Sequence, residues 1–322
     1  MASKEVKVIV KVPHRISGFF EIVDKLNGIK IEDPQLVGSR GAGFNINNFG
    51  ITEITSQEPR DPSCSTCQIF INGIELNEKA ETSNFIFDYL KHYFKKTSHV
   101  IIEHNFDLPV GCGYGASGSG ALGAVYGISS LLKLKISDYE KGKIAHIAEV
   151  SNKTGLGTIC GQLGGGLCIL KEPGYPCISE RIQFPSDLSV ICGSFGMIHT
   201  KSILNDSVLN MNIKNAGRDA LIKLLQDPSI YTFMNASIEF VQKTLILDIL
   251  QLTTTRELLE DLNKLNIIGA SMNQLGRSVY AICNKKYEAK VLDVFDTYRP
   301  EIKILKSSIY KDKTINVMNS VV

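Results

Sequence analysis

The hydrophobic positions of this chain follow two periods, which alternate along residues 1–186. Apolar residues at every second position predict strands, and apolar residues at three- and four-residue spacing predict helices. A Ser-Asp pair that can cap a first turn opens the helix predicted over 137–150. The predicted strands cover 7–12, 43–51, 68–71, 100–104 and 165–170, and the other predicted helices cover 80–95 and 118–132.

The pattern changes after Pro185. A strand over 188–194 precedes three helices, and a strand, a helix and a strand then follow within 278–305. These last three elements predict a βαβ unit, so we place a domain boundary near residue 186. The sequence thus predicts an α+β protein with domains 1–186 and 187–322. The three helices are expected at 216–225, 230–247 and 255–265.

Composition excludes several classes of partner. The chain has 322 residues, with 35 Lys and Arg against 33 Asp and Glu, and a formal net charge of +2. No long basic run occurs, so nucleic acid is not an expected partner. Charges interrupt residues 1–14, so neither a signal peptide nor a membrane span is expected there. We therefore expect a soluble cytoplasmic protein with no membrane partner.

Eight cysteines raise the question of a metal site or disulfides. Cys64 and Cys67 form one CxxC pair, but no second pair at metal-ligand spacing follows, so a structural zinc site would lack half its ligands. The cysteines in apolar or glycine-rich segments are expected to be unpaired core residues in a reducing compartment. They are Cys112, Cys160, Cys168, Cys192 and Cys283.

The segment PVGCGYGASGSGAL at 109–122 carries the clearest chemical signal. Its closely spaced glycines let the backbone turn sharply and approach a ligand. The helix predicted to follow would present unpaired N–H groups and its positive dipole end to an anion. Ser117 and Ser119 supply hydroxyls where a phosphate-bound magnesium ion needs an oxygen ligand. The segment therefore predicts a phosphate-binding loop.

Other glycine-rich loops require different sequence motifs. A Walker A loop ends in Gly-Lys-Ser or Gly-Lys-Thr, and no lysine lies between residues 96 and 133, so that interpretation fails. A dinucleotide fingerprint GxGxxG matches from residue 113 to residue 118, but Pro109 separates it from the preceding strand and no second strand ends at Asp138. A glycine-rich helix start used only for close packing stays open, although packing does not require the two serines.

The same segment resembles the second motif of the GHMP kinase superfamily, approximately Pro-x-x-x-Gly-Leu-Gly-Ser-Ser-Ala. Four further segments resemble the archaeal pantoate kinase branch, and the similarity extends from about Val12 to about Leu305. They read GSRGAGFNI at 38–46, AHIAEVSNKTGLGTICGQLGGGLCIL at 145–170, GSFGMIHTKSIL at 193–204 and SMNQLGRSVYAI at 271–282. The resemblance implies a two-domain GHMP kinase architecture, with an N-terminal domain like ribosomal S5 domain 2, a C-terminal ferredoxin-like domain and the active site between them.

The resemblance further implies ATP and Mg²⁺ as cofactors. Ser117 and Glu149 match metal ligands of the family, and Ser119 is the second choice for the hydroxyl ligand. Together with Thr158, Ser117 and Glu149 are the expected catalytic residues. The expected nucleotide-binding residues are Pro109, Gly111, Gly113, Tyr114, Gly115, Ala116, Ser117, Gly118 and Ser119.

Two positions depart from the family pattern. Many GHMP kinases, pantoate kinases included, carry an aspartate after Gly-Leu-Gly, where this chain has Thr158, and a threonine cannot accept a proton at neutral pH. Where the family has an arginine, this chain has Leu170, with Lys171 next to it. A loose transition state allows the acceptor hydroxyl to attack without a dedicated base.

Candidate acceptor-binding residues come from several segments. Ser39 and Arg40 lie in GSRGAG, which we expect to form a turn whose N–H groups and guanidinium chelate a carboxylate. His146 lies one helical turn before Glu149, so both would face one cleft. The resemblance adds Thr200, Lys201, Ser271 and Asn273.

The expected function, taken from the resemblance, is ATP-dependent phosphorylation of pantoate to 4-phosphopantoate in coenzyme A biosynthesis. Thr158 and Leu170 leave open a GHMP kinase for another small alcohol, pantothenate or homoserine, and a catalytically weak nucleotide-binding relative. An NAD-binding oxidoreductase is the remote alternative, through the GxGxxG match. The family also suggests a homodimer.

Overall fold

The computed structural model describes residues 6–59, 61–198, 206–312 and 315–321. Two main sheets, a separate two-stranded hairpin and the helices that cover the sheets make up this part of the chain. The helices are α1 (Glu81–Leu90), α2 (Ala116–Leu131), α3 (Asp138–Ser151), α4 (Thr158–Gly164), α5 (Ser207–Gln226), α6 (Ile230–Thr244), α7 (Ile246–Ile249), α8 (Thr253–Asn263) and α9 (Glu288–Asp296). No helix within the described ranges is long and apolar enough to cross a bilayer.

The larger sheet has eight strands among the described residues, and two of them are its long central members. Its main path runs β14-β1-β4-β7-β5-β6, and β8 and β9 extend it beside β4. A separate hairpin joins β2 (Lys25–Leu26) to β3 (Ile29–Lys30). The strands of the sheet are β1 (Val6–Val23), β4 (Gly38–Gln57), β5 (Thr66–Ile71), β6 (Ile74–Glu75), β7 (His99–Phe106), β8 (Leu167–Leu170), β9 (Ser179–Ile182) and β14 (Asn316–Val321).

Strands β1 and β4 are much longer than the 7–12 and 43–51 that the pattern predicts. They pair antiparallel along almost their whole length, with register shifts between Pro13 and Arg15 and between Ser17 and Phe19. Such irregularities bend a strand and interrupt its alternation, which hid the second half of β1 and both ends of β4. The first half of β1 packs under α2, on which α1 and α3 lie in turn, and its second half packs under α5 and α6.

The smaller sheet has the strand order β11-β12-β10-β13. Both β12 and β13 run antiparallel to β10, which lies between them, so they are parallel to each other and α9 connects them. This split βαβ unit is the ferredoxin-like arrangement, and it confirms the βαβ prediction. The strands are β10 (Leu188–Ser194), β11 (Gly269–Met272), β12 (Ser278–Asn284) and β13 (Lys303–Ser307).

One continuous core joins the two sheets. Phe44 of β4 meets Phe233 of α6 and Tyr280 of β12 edge to face, with ring centroids 6.0 and 5.4 Å away. All three side chains are fully buried. Aromatic edge-to-face pairs add to the free energy gained from area burial, so this cluster fixes the first half of β4 against the smaller sheet.

The helix predicted over 230–247 ends earlier. Leu245 adopts a left-handed conformation with φ of 56°, which stops α6 at Thr244 and starts the short α7. A single residue in this conformation breaks the run of i to i−4 hydrogen bonds, and apolar spacing alone does not reveal it.

The prediction that Cys160 is an unpaired core residue is wrong. Cys160 of α4 forms a disulfide with Cys177, which follows β8, and their Cα atoms are 5.1 Å apart. The turn between β8 and β9 folds back over α4 and brings the two together. The other cysteines predicted to be unpaired core residues, Cys112, Cys168, Cys192 and Cys283, are free and buried.

The prediction that GSRGAG forms a turn is also wrong. Residues 38–43 are the beginning of β4, where they pair with β1 on one side, and residues 41–44 pair with β8 on the other. Their backbone groups therefore take part in the sheet ladder and cannot form the expected carboxylate nest. Any acceptor contact from Ser39 and Arg40 must come from their side chains.

His104 provides a test of the buried polar network beneath α2. Its Nδ1 lies 2.9 Å from Thr52 Oγ1, and its Nε2 lies 2.9 Å from Ser83 Oγ. Burial lowers the pKa of His104 from 6.5 to about 4. The folded state therefore keeps this ring neutral while the unfolded state binds a proton, so stability falls as the pH drops from 6.5 towards 4.

We expect His104→Gln to reduce the loss of unfolding free energy between pH 7.0 and 4.5 by on the order of 3 kcal/mol, because the glutamine side chain does not titrate. Urea unfolding at pH 7.0, 5.5 and 4.5 measures the effect. The exposed His92 serves as control, since His92→Gln should leave the dependence unchanged. Equal pH profiles for wild type and His104→Gln would contradict the prediction.

Candidate active site

The predicted phosphate loop connects β7 to α2. Gly111, Gly113 and Gly115 all have positive φ, of 79°, 86° and 68°. Gly115 is the N-cap of α2 and offers no side-chain acceptor, so the first N–H groups of the helix face outward without a protein cap. This arrangement presents unpaired backbone donors and the positive end of a sixteen-residue helix to the same space.

A second glycine turn presses directly on this loop. A Cβ added to Gly113 would lie 3.0 Å from Gly276 N, and one added to Gly276 would lie 2.0 Å from Cys112 O. Neither position has room for a side chain. The turn between β11 and β12 therefore holds the phosphate loop from the side of the smaller sheet.

The middle of β1 holds the loop from the opposite side. Tyr114 O accepts hydrogen bonds from Arg15 N and from His14 Nδ1, both at 3.0 Å. Gln162 of α4 donates through Nε2 to Gly115 O at 3.1 Å and to Ser119 Oγ at 2.8 Å. Ser119 is thus fully buried inside this bracing and does not face the cleft. Ser117 remains as the hydroxyl available to a ligand.

Ser117 and Glu149 form a short hydrogen bond at the start of α2. Ser117 Oγ donates to Glu149 Oε1 at 2.5 Å, and Glu149 is 1% exposed. Burial raises the pKa of Glu149 from 4.5 to about 7, although hydrogen bonds from Ser117 and Thr154 act in the opposite direction. Its other oxygen, Oε2, is buried without a hydrogen-bond partner among the described residues. A carboxylate with one unsatisfied buried oxygen is poised to take a cation.

A cavity of about 350 Å³ opens beside this pair, which is within the usual range for small-molecule sites. Strand residues of β1 and β4, the phosphate loop, the segment before α4 and the turn after β11 form its walls. None of the described wall residues is Asp or Glu, whereas Arg15, Arg40 and Lys153 all contribute to it. The cleft is therefore built for a negatively charged ligand.

Most of the residues predicted from the sequence meet at this cleft. The wall includes Ser39, Arg40, Gly111, Gly113, Tyr114, Gly115, Ala116, Ser117 and Thr158, and Glu149 lies directly behind Ser117. Leu170, the position of the family arginine, is also on the wall. Thr200 and Lys201 lie outside the described residues.

Other predicted residues lie away from the walls. His146 is buried, and its Nε2 lies 3.0 Å from Val37 O, so it faces the start of β4. Ser271 donates to Ser237 O inside the smaller domain core. Asn273 accepts from Ser17 N through Oδ1 at 3.2 Å and braces the floor of the cleft from behind. Pro109 and Gly118 belong to the loop but do not contribute to its exposed surface in the cleft.

Arg40 is held by a buried carboxylate. Its Nη2 and Nε donate to Glu21 Oε2 at 2.7 and 3.0 Å, and Arg218 of α5 donates to the other oxygen of Glu21 at 3.2 Å. Glu21 is therefore shared by two guanidinium groups. The arrangement orients Arg40 at the cleft and leaves a net positive charge there.

Arg15 is a wall residue that sequence reasoning missed. It is 3% exposed, and its guanidinium packs against Gly161 of α4. Its hydrogen-bond partners are neutral, Asn45 Oδ1 at 3.5 Å and Cys168 Sγ at 3.4 Å, and no ion pair is found for it within the described ranges. The only available signal was its place shortly after the strand predicted over 7–12, directly after Pro13 and His14.

Comparison with known proteins places this site in a family. A model of the GHMP kinases N terminal domain matches residues 83–166. A pantoate kinase from Methanocaldococcus jannaschii is 30% identical over 297 residues, which cover 92% of this chain and 97% of the relative. The chain belongs to the pantoate kinase family. Its expected GHMP kinase resemblance is thereby confirmed.

Solved structures confirm the GHMP kinase fold. One described as a phosphotransferase related to the CoA biosynthesis pathway has a TM-score of 0.82 at 25% identity, and the match covers 97% of this chain and 98% of that one. A second, MDDEF in complex with MVAPP, AMPPCP and magnesium, shares the fold with a TM-score of 0.69 at 13% identity over 98% and 100% of the two chains. Because the fold is that of the GHMP kinases, we reject the dinucleotide-binding interpretation of the loop.

The sequence analysis of this pantoate kinase family member missed wall residues in two segments. Ser17, Phe19 and Phe20 belong to the part of β1 that the pattern did not predict as strand, and Gln274 and Leu275 follow β11. If the strand had been extended across the bulges of β1, the prediction would have included Ser17, Phe19 and Phe20 as strand residues beside the loop.

We expect Arg15→Met to leave the thermal stability of the ligand-free protein unchanged or to raise it. The substitution removes a buried cation that lacks a carboxylate partner and keeps most of its packing volume. Arg40→Met should instead lower the melting temperature, because it breaks an ion pair with the buried Glu21. Differential scanning calorimetry of both variants measures the contrast, and an equal loss in both would contradict it.

Proposed function

We propose that the protein transfers the γ-phosphoryl group of ATP to the primary hydroxyl of pantoate, giving 4-phosphopantoate in coenzyme A biosynthesis. The observation that carries the proposal is the Ser117–Glu149 pair beside a glycine loop, at the mouth of a cleft whose described walls hold cations and no carboxylate. The names of the relatives, pantoate kinase and a phosphotransferase related to coenzyme A biosynthesis, support the same acceptor.

The residues present fit a magnesium ion. Ser117 Oγ and the partnerless Glu149 Oε2 are hard oxygen donors, which Mg²⁺ prefers, and few protein ligands suffice when phosphate oxygens and waters complete the shell. The shared fold with a structure that holds AMPPCP and magnesium supports the assignment. When bound, the ion would neutralise charge on the β- and γ-phosphate oxygens.

The chain's own contribution is positioning and charge. Backbone N–H groups from Gly113 to Ser117 and the start of α2 would hold the phosphates. The bracing by β1 and Gln162 fixes these donors before the ligand arrives, so little reorganisation is needed during the reaction. Such preorganisation suits phosphoryl transfer, in which the protein does little covalent chemistry.

The acceptor side of the cleft matches a small branched hydroxy-acid. Phe19, Phe20, Leu156 and Leu170 give an apolar surface for a branched carbon skeleton. Arg40 gives a guanidinium for a carboxylate, and Ser39 adds a hydroxyl. Homoserine carries an ammonium group, for which the described walls supply no carboxylate.

No described wall residue is a carboxylate base. Thr158, the first residue of α4, places its methyl group near Gly115 and Gly118, where an added Cβ would lie 2.9 and 2.7 Å from it. In a loose transition state the bond to the leaving ADP breaks before the acceptor hydroxyl loses much of its proton. That proton can therefore leave late, to the transferred phosphoryl oxygen or to water.

Incubation of the purified protein with ATP, Mg²⁺ and each of pantoate, pantothenate and homoserine tests the proposal. ADP release with pantoate, together with a phosphomonoester at its primary hydroxyl seen by ³¹P NMR, is the expected result. ADP release only with pantothenate or only with homoserine would show that this alcohol, and not pantoate, is the acceptor. ATP binding without turnover of any alcohol would favour a nucleotide-binding relative that lacks catalysis.

Ser117→Ala and Glu149→Gln should each lower turnover, because each weakens the binding of the metal. We expect each substitution to raise the activation free energy by about 2–4 kcal/mol. Steady-state kinetics over a magnesium titration measures the effect, and higher magnesium should restore part of the lost rate. Ser129→Ala, in the same helix but away from the cleft, is the control. Unchanged turnover in either site variant would remove that residue from the mechanism.

Replacing Thr158 with aspartate should raise turnover, because a carboxylate at this place can accept the hydroxyl proton. Thr158→Asn separates shape from charge. A drop in turnover with aspartate but not with asparagine would show that the reaction depends on an unneutralised cation in the cleft.

A further inference from the structure

Lys153 is a cleft residue whose backbone conformation is unusual for its side chain. It lies on the wall next to Thr154 and Gly155, close to Ser117, and its φ is 54°. This left-handed conformation costs a non-glycine residue on the order of 1 kcal/mol, and glycine or asparagine adopts it more easily. Its lysine side chain is therefore not explained by the needs of the turn.

The turn that carries Lys153 is fixed to the metal-binding pair. Lys153 N donates to Val150 O at 3.1 Å, and Thr154 N donates to Glu149 O at 2.9 Å. Thr154 O in turn accepts from Ser117 Oγ at 3.3 Å. The stem of the lysine side chain thus starts at a place set by Ser117 and Glu149, beside the space for the terminal phosphates.

The other positive charges of the cleft lie away from the Ser117–Glu149 pair. The phosphate loop over 109–122 contains no Lys or Arg, so its own donors are backbone N–H groups and hydroxyls. Arg40 is held by Glu21 at the acceptor side, and Arg15 lies beneath α4. Lys153 is exposed, and no ion pair is found for it across the described residues. It is the wall cation nearest in sequence to the Ser117–Glu149 pair.

We propose that Lys153 binds the β- and γ-phosphate oxygens of the nucleotide and supplies the positive charge that a Walker A loop takes from its own lysine. The inference rests on the proposed kinase function. A flexible ammonium group suits this task, because a point charge with three donors can follow the phosphoryl group without a fixed bidentate geometry.

Lys133 offers a matched control within the same chain. It is also exposed, it also follows a helix end, with its N–H donating to Ser130 O at 3.2 Å, and its φ is 51°. It does not contribute to the cleft. Asparagine tolerates the left-handed conformation, so Lys153→Asn and Lys133→Asn change charge at equivalent backbone positions without adding strain.

The test measures nucleotide binding directly, by isothermal titration calorimetry with AMPPCP, ADP and adenosine in the presence of Mg²⁺ and without any acceptor. We expect Lys153→Asn to weaken AMPPCP at least tenfold, ADP less, and adenosine by less than twofold. Lys133→Asn should bind all three like wild type, and Lys153→Arg should recover most of the AMPPCP affinity. Melting temperatures of the variants establish that they are folded.

Two results would overturn the proposal. Wild-type AMPPCP affinity in Lys153→Asn would show that the side chain does not touch the phosphates. Equal weakening of AMPPCP and adenosine would show that the substitution deforms the cleft instead. The binding test uses no acceptor, so its outcome does not depend on the identity of the acceptor. If the wild-type protein binds AMPPCP but does not phosphorylate pantoate, the proposed acceptor is wrong, and the binding data still decide the role of Lys153.

Discussion

The carbonyl oxygen of Tyr114 is the point on which the site depends. It accepts hydrogen bonds from Arg15 N and His14 Nδ1, so the middle of β1 fixes the middle of the phosphate loop. The side chain of the same residue is buried in the core that includes the smaller sheet. One residue therefore ties the loop to both layers, and the three left-handed glycines around it allow the backbone to follow that path.

Burial around the loop then decides the electrostatics. Glu149 is forced into a place where its charged form is poorly solvated, and Arg15 is buried with neutral partners only. Each of these groups is costly in the ligand-free protein, and each would be stabilised by the opposite charge of the proposed metal–nucleotide complex. The site thus trades stability of the empty cleft for affinity towards a charged ligand, as functional sites commonly do.

Glycine spacing predicted the loop and the hydroxyl of Ser117, and hydrophobic periodicity predicted the α+β class. The resemblance to GHMP kinases supplied Glu149 and the two-domain architecture. Sequence reasoning failed where the cause is three-dimensional. Residues 38–43 look like a glycine turn, yet pairing with two neighbours makes them a strand. His146 shares a helix face with Glu149 but meets Val37 O. Arg15 and the Cys160–Cys177 disulfide depend on which segments α4 covers, and no spacing rule in the sequence encodes that contact.

The return of the chain to the larger sheet through β14 affects how the protein can be divided. Residues 188–307, which form the smaller sheet, lie between segments that belong to the larger one, and β14 covers the outer side of β1. A fragment that stops at residue 186 would expose the backbone of β1 from Val6 to Lys11 as an open sheet edge. Such an edge invites aggregation, so the N-terminal part is better produced with the last strand fused behind it than cut at the boundary that the sequence suggests.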